Sequence, residues 1–183
     1  MKYSKLKTLS LRKYSFAYIS IAMQSIIRLI LIFALFVSNS NAGELQGRVV
    51  KVVDGDSITI LDAHNVQHKI RLSGIDAPEK AQPYGEVSRR SLAEIVAGKD
   101  VVVETTKKDR YGRVVGKVLV DGQDANLLQI ERGLAWFYRE YQNEQSPDGL
   151  MAYEAAELSA KKLGTGLWND SNPMPPWEWR RSR

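Results

Sequence analysis

The sequence predicts an α+β fold in which a closed five-stranded barrel of the OB type is combined with about three helices. Two observations lead to this prediction. First, three β-rich runs precede the first helical segment and two more follow it, so strands and helices are segregated rather than alternating. Second, removing an N-terminal targeting segment of 42 residues leaves 141 of the 183 residues. Closing the sheet into a barrel removes its exposed edges in a domain of that size.

The first 42 residues have the pattern of a signal peptide. An unbroken apolar run of nine residues, LILIFALFV at 29–37, follows Arg28, and small residues Ser40 and Ala42 occupy the −3 and −1 positions of a cleavage site. The alternative is a membrane anchor, but a span needs about 20 apolar residues. We therefore expect cleavage after Ala42, export to the periplasm or the medium, and no stable membrane association of the cleaved protein. A start at Met23 would give a signal peptide of ordinary length.

Composition excludes several kinds of chemistry. The chain has no Cys, so thiol nucleophiles, disulfides and Cys-ligated zinc or iron–sulfur sites are excluded. Its net charge of +5 comes from the first 42 residues, which hold six basic residues and no acidic one. The remaining 20 basic and 21 acidic residues give positions 43–183 a net charge of −1. The basic pI of the whole chain therefore indicates nothing about a partner of the folded part.

The strands of the predicted barrel are β-rich runs at 45–53, 57–61, 66–72, 101–105 and 113–120. A cluster of turn-forming residues between the second and third runs predicts a hairpin. In the third run, alternation places Arg71 on the face opposite Ile70 and Leu72. We expect Arg71 to point away from the core.

Helices are predicted at 85–97, 125–132 and 149–163, each followed by a glycine that can end it. The folded domain is expected to span 43–170. Residues 171–183 form a tail that is rich in Pro, Trp and Arg, and we predict that it is irregular. Its tryptophans are expected to pack on the domain, and its arginines to add to affinity for a polyanion.

Three local motifs are candidates for chemistry: DGDS at 54–57, RLSGIDAPE at 71–79 and DRYGR at 109–113. Each also has a purely structural explanation. The first can be a tight turn, the second a surface cluster of ion pairs, and the third a solvated hairpin tip. The region 107–117 is nevertheless the one basic concentration of the folded part, and thus the place where a polyanion would dock.

Together the motifs suit phosphodiester hydrolysis. That reaction needs a hard cation, a carboxylate that orients water, and positive charges that stabilise the transition state. Asp56 and Asp76 offer oxygen ligands of the kind that Ca²⁺ or Mg²⁺ takes. Glu79 is the spare carboxylate, and Arg71 and Arg113 supply planar forks for phosphate. Zinc is disfavoured because the chain has only two His, and a serine hydrolase because it has no G-x-S-x-G elbow.

The order VVDGDS, IRLSGIDAPE, DRYGR and RGLAW resembles the staphylococcal nuclease (thermonuclease) family, over roughly Gly47 to Trp168. The resemblance implies an OB-fold barrel with three helices. It also implies a Ca²⁺-dependent phosphodiesterase that cleaves DNA and RNA and leaves 3′-phosphates. We expect single-stranded substrates to be favoured and the protein to be a monomer.

The resemblance also implies roles for single residues. Asp56 and Asp76 match the calcium carboxylates of the family, and Ala77 matches the position whose main-chain carbonyl is a further ligand. Arg71 and Arg113 match the two catalytic arginines that bind phosphate.

Further matches concern water and the nucleotide. Glu79 matches the carboxylate that is usually given the role of general base, which we describe as water positioning. Arg110, Tyr111 and Tyr141 match substrate-binding positions, with Arg110 replacing a Lys of the family. Ser57 replaces the usual Thr after DGD.

Two other classes of function remain open from the sequence. One is a catalytically inactive OB-fold module that binds single-stranded nucleic acid by stacking and charge. The other is a purely structural barrel. Both are disfavoured because a binding module would tolerate Lys or Gln where Arg71, Glu79 and Arg113 stand, and a structural barrel would need none of the three.

Overall fold

Five strands of the computed structural model form a barrel, as the sequence predicts. The structure describes residues 43–183, so the predicted signal peptide lies outside the described residues. The strands are β1 (Glu44–Val52), β2 (Ser57–Leu61), β3 (Gln67–Leu72), β4 (Ile75–Asp76), β5 (Asp100–Lys108), β6 (Val114–Val120), β7 (Gln123–Asp124) and β8 (Trp136–Phe137). The α-helices are α1 (Gly85–Val96), α2 (Ala125–Glu131), α3 (Pro147–Leu163) and α4 (Pro176–Arg181). Short 3₁₀ helices span Arg139–Glu144 and Gly166–Asn169.

The sheet order is β3-β2-β1-β5-β6, and a parallel pairing of β3 with β6 closes the barrel. All other pairings along this order are antiparallel. Closure brings Arg71 opposite Val115, so the end of β3 lies beside the hairpin that joins β5 to β6. The predicted α+β barrel is thereby confirmed.

The barrel interior is filled by branched aliphatic side chains. Ile58, Ile60, Ile70 and Leu72 are all at most 1% exposed, whereas Arg71 between the last two is only partly buried. The alternation predicted for β3 is therefore observed, and it turns the guanidinium away from the core.

Helix boundaries are close to those predicted, and the differences have local causes. Helix α3 begins two residues early, at Pro147, because the Ser146 side chain accepts a hydrogen bond from the Gly149 N–H and caps it. Strand β5 continues to Lys108 because its pairing with β6 resumes after an irregularity between Thr105 and Lys107.

The prediction of an irregular tail is wrong for Pro176–Arg181, which form helix α4. Pro176 occupies the first turn, where the missing N–H has no cost. The tail lies on the domain, since Trp177 packs against Trp136 and stacks on Tyr138. None of the helices in the described part of the chain is long and apolar enough to cross a membrane.

Candidate active site

A cleft of about 820 Å³ opens beside the ends of β2, β3 and β5. Every candidate residue predicted from the sequence lines it: Asp56, Arg71, Asp76, Ala77, Glu79, Arg110, Tyr111, Arg113 and Tyr141. The three motifs that are separate in the sequence therefore meet in one place.

The turn between β1 and β2 brings the first carboxylates to the cleft. The Asp54 side chain accepts a hydrogen bond from the Asp56 N–H at 3.1 Å, which folds the turn on itself. Gly55 is required because a Cβ there would lie 1.9 Å from the Ser88 hydroxyl oxygen of α1. Gln129 of α2 donates from Nε2 to the Gly55 carbonyl at 2.8 Å. Contacts with α1 and α2 thus hold the turn in place.

Arg71 joins the two buried carboxylates of the site. Its Nη1 lies 3.0 Å from Asp56 Oδ2, and its Nη2 lies 2.9 Å from Asp76 Oδ1. The side chains of Asp56 and Asp76 are only 8% and 1% exposed. The Ala77 N–H donates to Asp56 Oδ2 at 2.7 Å, so the loop after β4 is fastened to the same carboxylate.

The part of the cleft that is lined by Asp54, Asp56 and Asp76 contains an excess of buried negative charge. Burial raises the pKa of Asp76 to about 6, with repulsion from Asp56 adding to the rise and the hydrogen bond from Arg180 opposing it. Burial, followed by repulsion from Asp56, raises the pKa of Asp54 to about 7. Neutralising this charge by a cation would therefore be favourable.

The β5–β6 hairpin presents the second arginine. Asp109 accepts hydrogen bonds from the N–H groups of Tyr111 and Arg113, both at 2.9 Å, and Gly112 takes the left-handed conformation that the turn requires. Arg113 Nε donates to Asp109 Oδ2 at 2.7 Å. The Tyr111 ring is 69% exposed and lies beside the guanidinium of Arg110, at 5.0 Å. It is available to stack on a base.

Tyr141 also lines the cleft and lies in the first 3₁₀ helix, Arg139–Glu144. The ammonium group of Lys107 lies 4.7 Å from its ring centroid and is also paired with Glu144. The Tyr138 ring meets Tyr141 edge-on at 5.1 Å. Aromatic and basic side chains therefore line this part of the cleft.

Glu79 is the most exposed of the predicted catalytic residues, with 39% of its side chain accessible. Its Oε1 accepts a hydrogen bond from Arg180 Nη1 at 2.8 Å. Arg180 also contacts Asp76 with both of its terminal nitrogens. No local sequence pattern predicts this contact, because Asp76 and Arg180 are 104 positions apart.

The donor set fits a hard divalent cation. Among residues 43–183, no three His, Cys, Asp or Glu side chains come together closely enough to hold a metal by themselves. The expected site needs only the carboxylates of Asp56 and Asp76 with the main-chain carbonyl of Ala77, and water can supply the other ligands of Ca²⁺ or Mg²⁺. Two buried carboxylates that already share a guanidinium give the negative charge and oxygen atoms that such an ion requires.

Comparison with known proteins gives concordant results. The family model described as staphylococcal nuclease homologue matches residues 69–170. The chain is 39% identical over 141 residues to an "Uncharacterized endonuclease" of Escherichia coli, covering 76% of this chain and 88% of that protein. It is 40% identical over 134 residues to an "Uncharacterized endonuclease" of Haemophilus influenzae, covering 73% and 72%. It is 35% identical over 157 residues to a "Micrococcal nuclease" of Shigella flexneri, covering 81% and 87%.

Proposed function

This chain belongs to the staphylococcal nuclease family, and from that premise we propose that it is a calcium-dependent, sugar-nonspecific endonuclease. It hydrolyses phosphodiester bonds of DNA and RNA and leaves 3′-phosphates. The observation that supports this most is the convergence of Arg71, Arg113 and Glu79 with the buried pair Asp56 and Asp76 in one cleft. The endonuclease and micrococcal nuclease names of its relatives agree with the proposal.

The metal-binding part of the proposal rests on charge and ligand type. Asp56, Asp76 and the Ala77 carbonyl would hold the cation at the inner end of the cleft. When bound, Ca²⁺ polarises a phosphoryl oxygen and so makes the phosphorus a better electrophile. The raised pKa values of Asp54 and Asp76 agree with a site in which a bound cation would stabilise the buried negative charge.

The chain's own side chains perform the remaining steps. Arg71 and Arg113 bind the phosphate and stabilise the charge that grows on its oxygens as water attacks. Glu79 lies at the solvent side of the same carboxylates, where it orients the attacking water. The proton that water loses passes to solvent or to Glu79, the bond between phosphorus and the 5′ oxygen of the next nucleotide breaks, and that oxygen takes up a proton from solvent.

Binding of the strand is assigned to the walls of the cleft. Arg110 supplies a phosphate contact, while Tyr111 and Tyr141 supply rings on which bases stack. Because stacking needs an unpaired base face, this arrangement favours single strands. The described residues supply no element of the kind that enters a groove, so we propose cleavage without sequence specificity.

Export completes the proposal. We propose that residues 1–42 are removed after Ala42 and that the nuclease acts as a monomer in the periplasm or outside the cell. The N-terminal sequence of protein recovered from the exported fraction tests this directly. A start at Gly43 supports it, whereas an intact N-terminus in membranes contradicts it.

The decisive experiment measures cleavage of a fluorogenic single-stranded oligonucleotide with Ca²⁺, with Mg²⁺ and with chelator. We expect cleavage that depends on Ca²⁺, and a loss of about 10³-fold in Arg71→Ala because a cation at the developing charge is removed. The matched control is Arg90→Ala, since Arg90 is exposed on α1 and does not line the cleft.

The alternative function is a catalytically inactive OB-fold module for single-stranded nucleic acid. It predicts oligonucleotide binding with no cleavage under any of the three conditions, and an Arg71→Ala variant that differs only in affinity. Identification of the cleaved ends as 3′-phosphates or 5′-phosphates tests the proposed direction of hydrolysis.

A further inference from the structure

Arg180 occupies the carboxylates to which the proposed function assigns the metal. Its Nη2 lies 2.8 Å from Asp76 Oδ2, and its Nη1 lies 3.2 Å from Asp76 Oδ1 and 2.8 Å from Glu79 Oε1. With Arg71 on Oδ1 as well, both oxygens of a side chain that is 1% exposed are engaged by guanidinium groups. This is a two-pronged charge-assisted contact, the strongest kind that an arginine makes with a carboxylate.

Helix α4 is held in the position that this contact needs. Trp177 stacks on Tyr138 with ring centroids 5.5 Å apart and planes at 14°. Just before the helix, the Met174 carbonyl accepts a hydrogen bond from the buried Gln82 side chain at 2.7 Å. Anchors on both sides of Pro175 therefore direct the first turn of the helix, and they place Arg180 over the cleft.

We propose that Arg180 is an internal competitor of the divalent cation, so that the C-terminal helix holds the active site closed to metal until the cation displaces it. This inference rests on the proposed function, because it takes Asp76 as a metal ligand. While Arg180 donates to both oxygens of Asp76, it competes with a divalent ion for their lone pairs, and its positive charge repels an ion at that carboxylate.

The contact is suited to reversible displacement. The Arg180 side chain is 42% exposed, so water can take over its hydrogen bonds when it leaves the carboxylates. Arg71 is different, since its side chain is only 15% exposed and it also donates to the Leu72 carbonyl. Exchange of the outer arginine for a cation therefore leaves the inner one in place, and the helix need only move away from the cleft.

The first test is the affinity for Ca²⁺ alone, measured by isothermal titration calorimetry on the purified protein without nucleic acid. We expect Arg180→Gln to bind Ca²⁺ at least about fivefold more tightly than the unaltered protein, which is the low end of typical coupling between two ligands. The matched control is Arg181→Gln. Arg181 neighbours Arg180 on the same helix but contacts only the Trp177 carbonyl, at 3.3 Å. The Arg181→Gln substitution removes the same charge without freeing Asp76. The affinity of this variant for Ca²⁺ should therefore equal that of the unaltered protein.

The second test needs no substitution. Hydrogen exchange of the α4 amides, such as the Ser182 N–H that bonds the Glu178 carbonyl, should become faster when Ca²⁺ is added to the unaltered protein. Exchange that is unchanged or slower would overturn the proposal. If Arg180→Gln fails to fold, Arg180→Met, which also removes the charge, takes its place in the titration with the same expected gain in Ca²⁺ affinity.

The outcomes separate this inference from the function on which it rests. Equal Ca²⁺ affinity in the unaltered protein and Arg180→Gln, with Ca²⁺-dependent cleavage intact, overturns the competitor role alone. A gain in affinity shared by Arg181→Gln also overturns it, because general electrostatics would then suffice. Absence of Ca²⁺ binding in all variants overturns both the proposed function and the competition.

Discussion

Single residues in the DGD turn place like charges close together. Asp54 and Asp56 lie close together in the turn, where the Asp56 N–H donates a hydrogen bond to the Asp54 side chain. Burial and the adjacent Asp56 charge raise the pKa of Asp54 to about 7 from a usual value of 3.8. Because the folded value is the higher one, the folded state binds a proton more tightly than the unfolded chain. The free energy of unfolding therefore falls as the pH rises from about 4 to about 7.

Asp54→Asn removes that repulsion and keeps an acceptor for the Asp56 N–H. In metal-free buffer we expect the substitution to raise the free energy of unfolding by about 1–3 kcal/mol at pH 8. At pH 5 the difference should shrink, because Asp54 is then mostly protonated in the folded protein. Urea unfolding at the two pH values measures this.

The control for this prediction is Asp121→Asn. Asp121 is an exposed turn residue with a side chain that is 79% accessible, so its substitution should have little effect at either pH. A stabilisation by Asp54→Asn of equal size at pH 5 and pH 8 would show that charge repulsion is not its cause.

At the scale of elements, helix α2 supports the catalytic turn from behind. Gln129 is fully buried on this helix. It donates to the carbonyls of Gly55 and Ser88 at 2.8 and 3.1 Å, and it accepts from the Ser91 hydroxyl at 2.7 Å. One amide thus links α2, α1 and the turn that bears Asp56.

Gln129→Leu should therefore lower both stability and activity. It fills similar space but leaves the Gly55 carbonyl buried without its donor, at an expected cost of about 1–3 kcal/mol in the free energy of unfolding. The turn is also expected to relax, which lowers the cleavage rate at saturating Ca²⁺. Gln67→Leu, at an exposed position of β3, is the control. Full activity in Gln129→Leu would contradict a positioning role for α2.

The β5–β6 hairpin is a second element whose side chains preorganise a catalytic group. Asp109 fixes the main chain of the turn and the guanidinium of Arg113 at once. Asp109→Ala removes both restraints, and we expect cleavage to fall by about 10-fold or more because Arg113 loses its fixed orientation. Asp109→Asn, which can still accept the two main-chain hydrogen bonds, should lose less activity. Equal losses in the two variants would assign the effect to the orientation of Arg113, whereas full activity in Asp109→Asn would assign it to the turn.

At the scale of the whole molecule, the charge that can attract nucleic acid is concentrated at the cleft and does not come from the net charge of the domain. Positions 43–183 have a net charge of only −1, so long-range attraction of nucleic acid is weak and affinity must come from the basic residues at the cleft. Lys107, Arg110 and Arg113 all line it. The salt dependence of binding should therefore report a few contacts in one place.

Arg110→Gln tests whether the affinity for nucleic acid comes from basic residues at the cleft. We expect it to weaken oligonucleotide binding and to reduce the slope of log K against log [salt] by about one, because one phosphate contact is lost. Binding is measured with chelator present, so that cleavage does not interfere. The corresponding control is Arg90→Gln, at an exposed position of α1 that does not line the cleft. An equal decrease of the slope in that variant would contradict a localised contact.

The sequence by itself determined the barrel, its hairpin turns and the residues that line the cleft. Strand β2 begins and ends where the pattern predicts, at Ser57 and Leu61, because alternation and turn residues act over a few positions. The candidate site could be predicted for a similar reason. Each motif lies at the end of a strand, and closing a small barrel brings those ends together.

Only the tertiary structure decided the contacts that depend on distant parts of the chain. Gln129 meets a carbonyl 74 residues away, and Arg180 meets Asp76 across 104 residues. Neither position has a local pattern that distinguishes it, since one resembles an ordinary helix residue and the other an exposed charge in a tail. Their roles arise because packing, not sequence proximity, determines which buried polar group or carboxylate each side chain reaches.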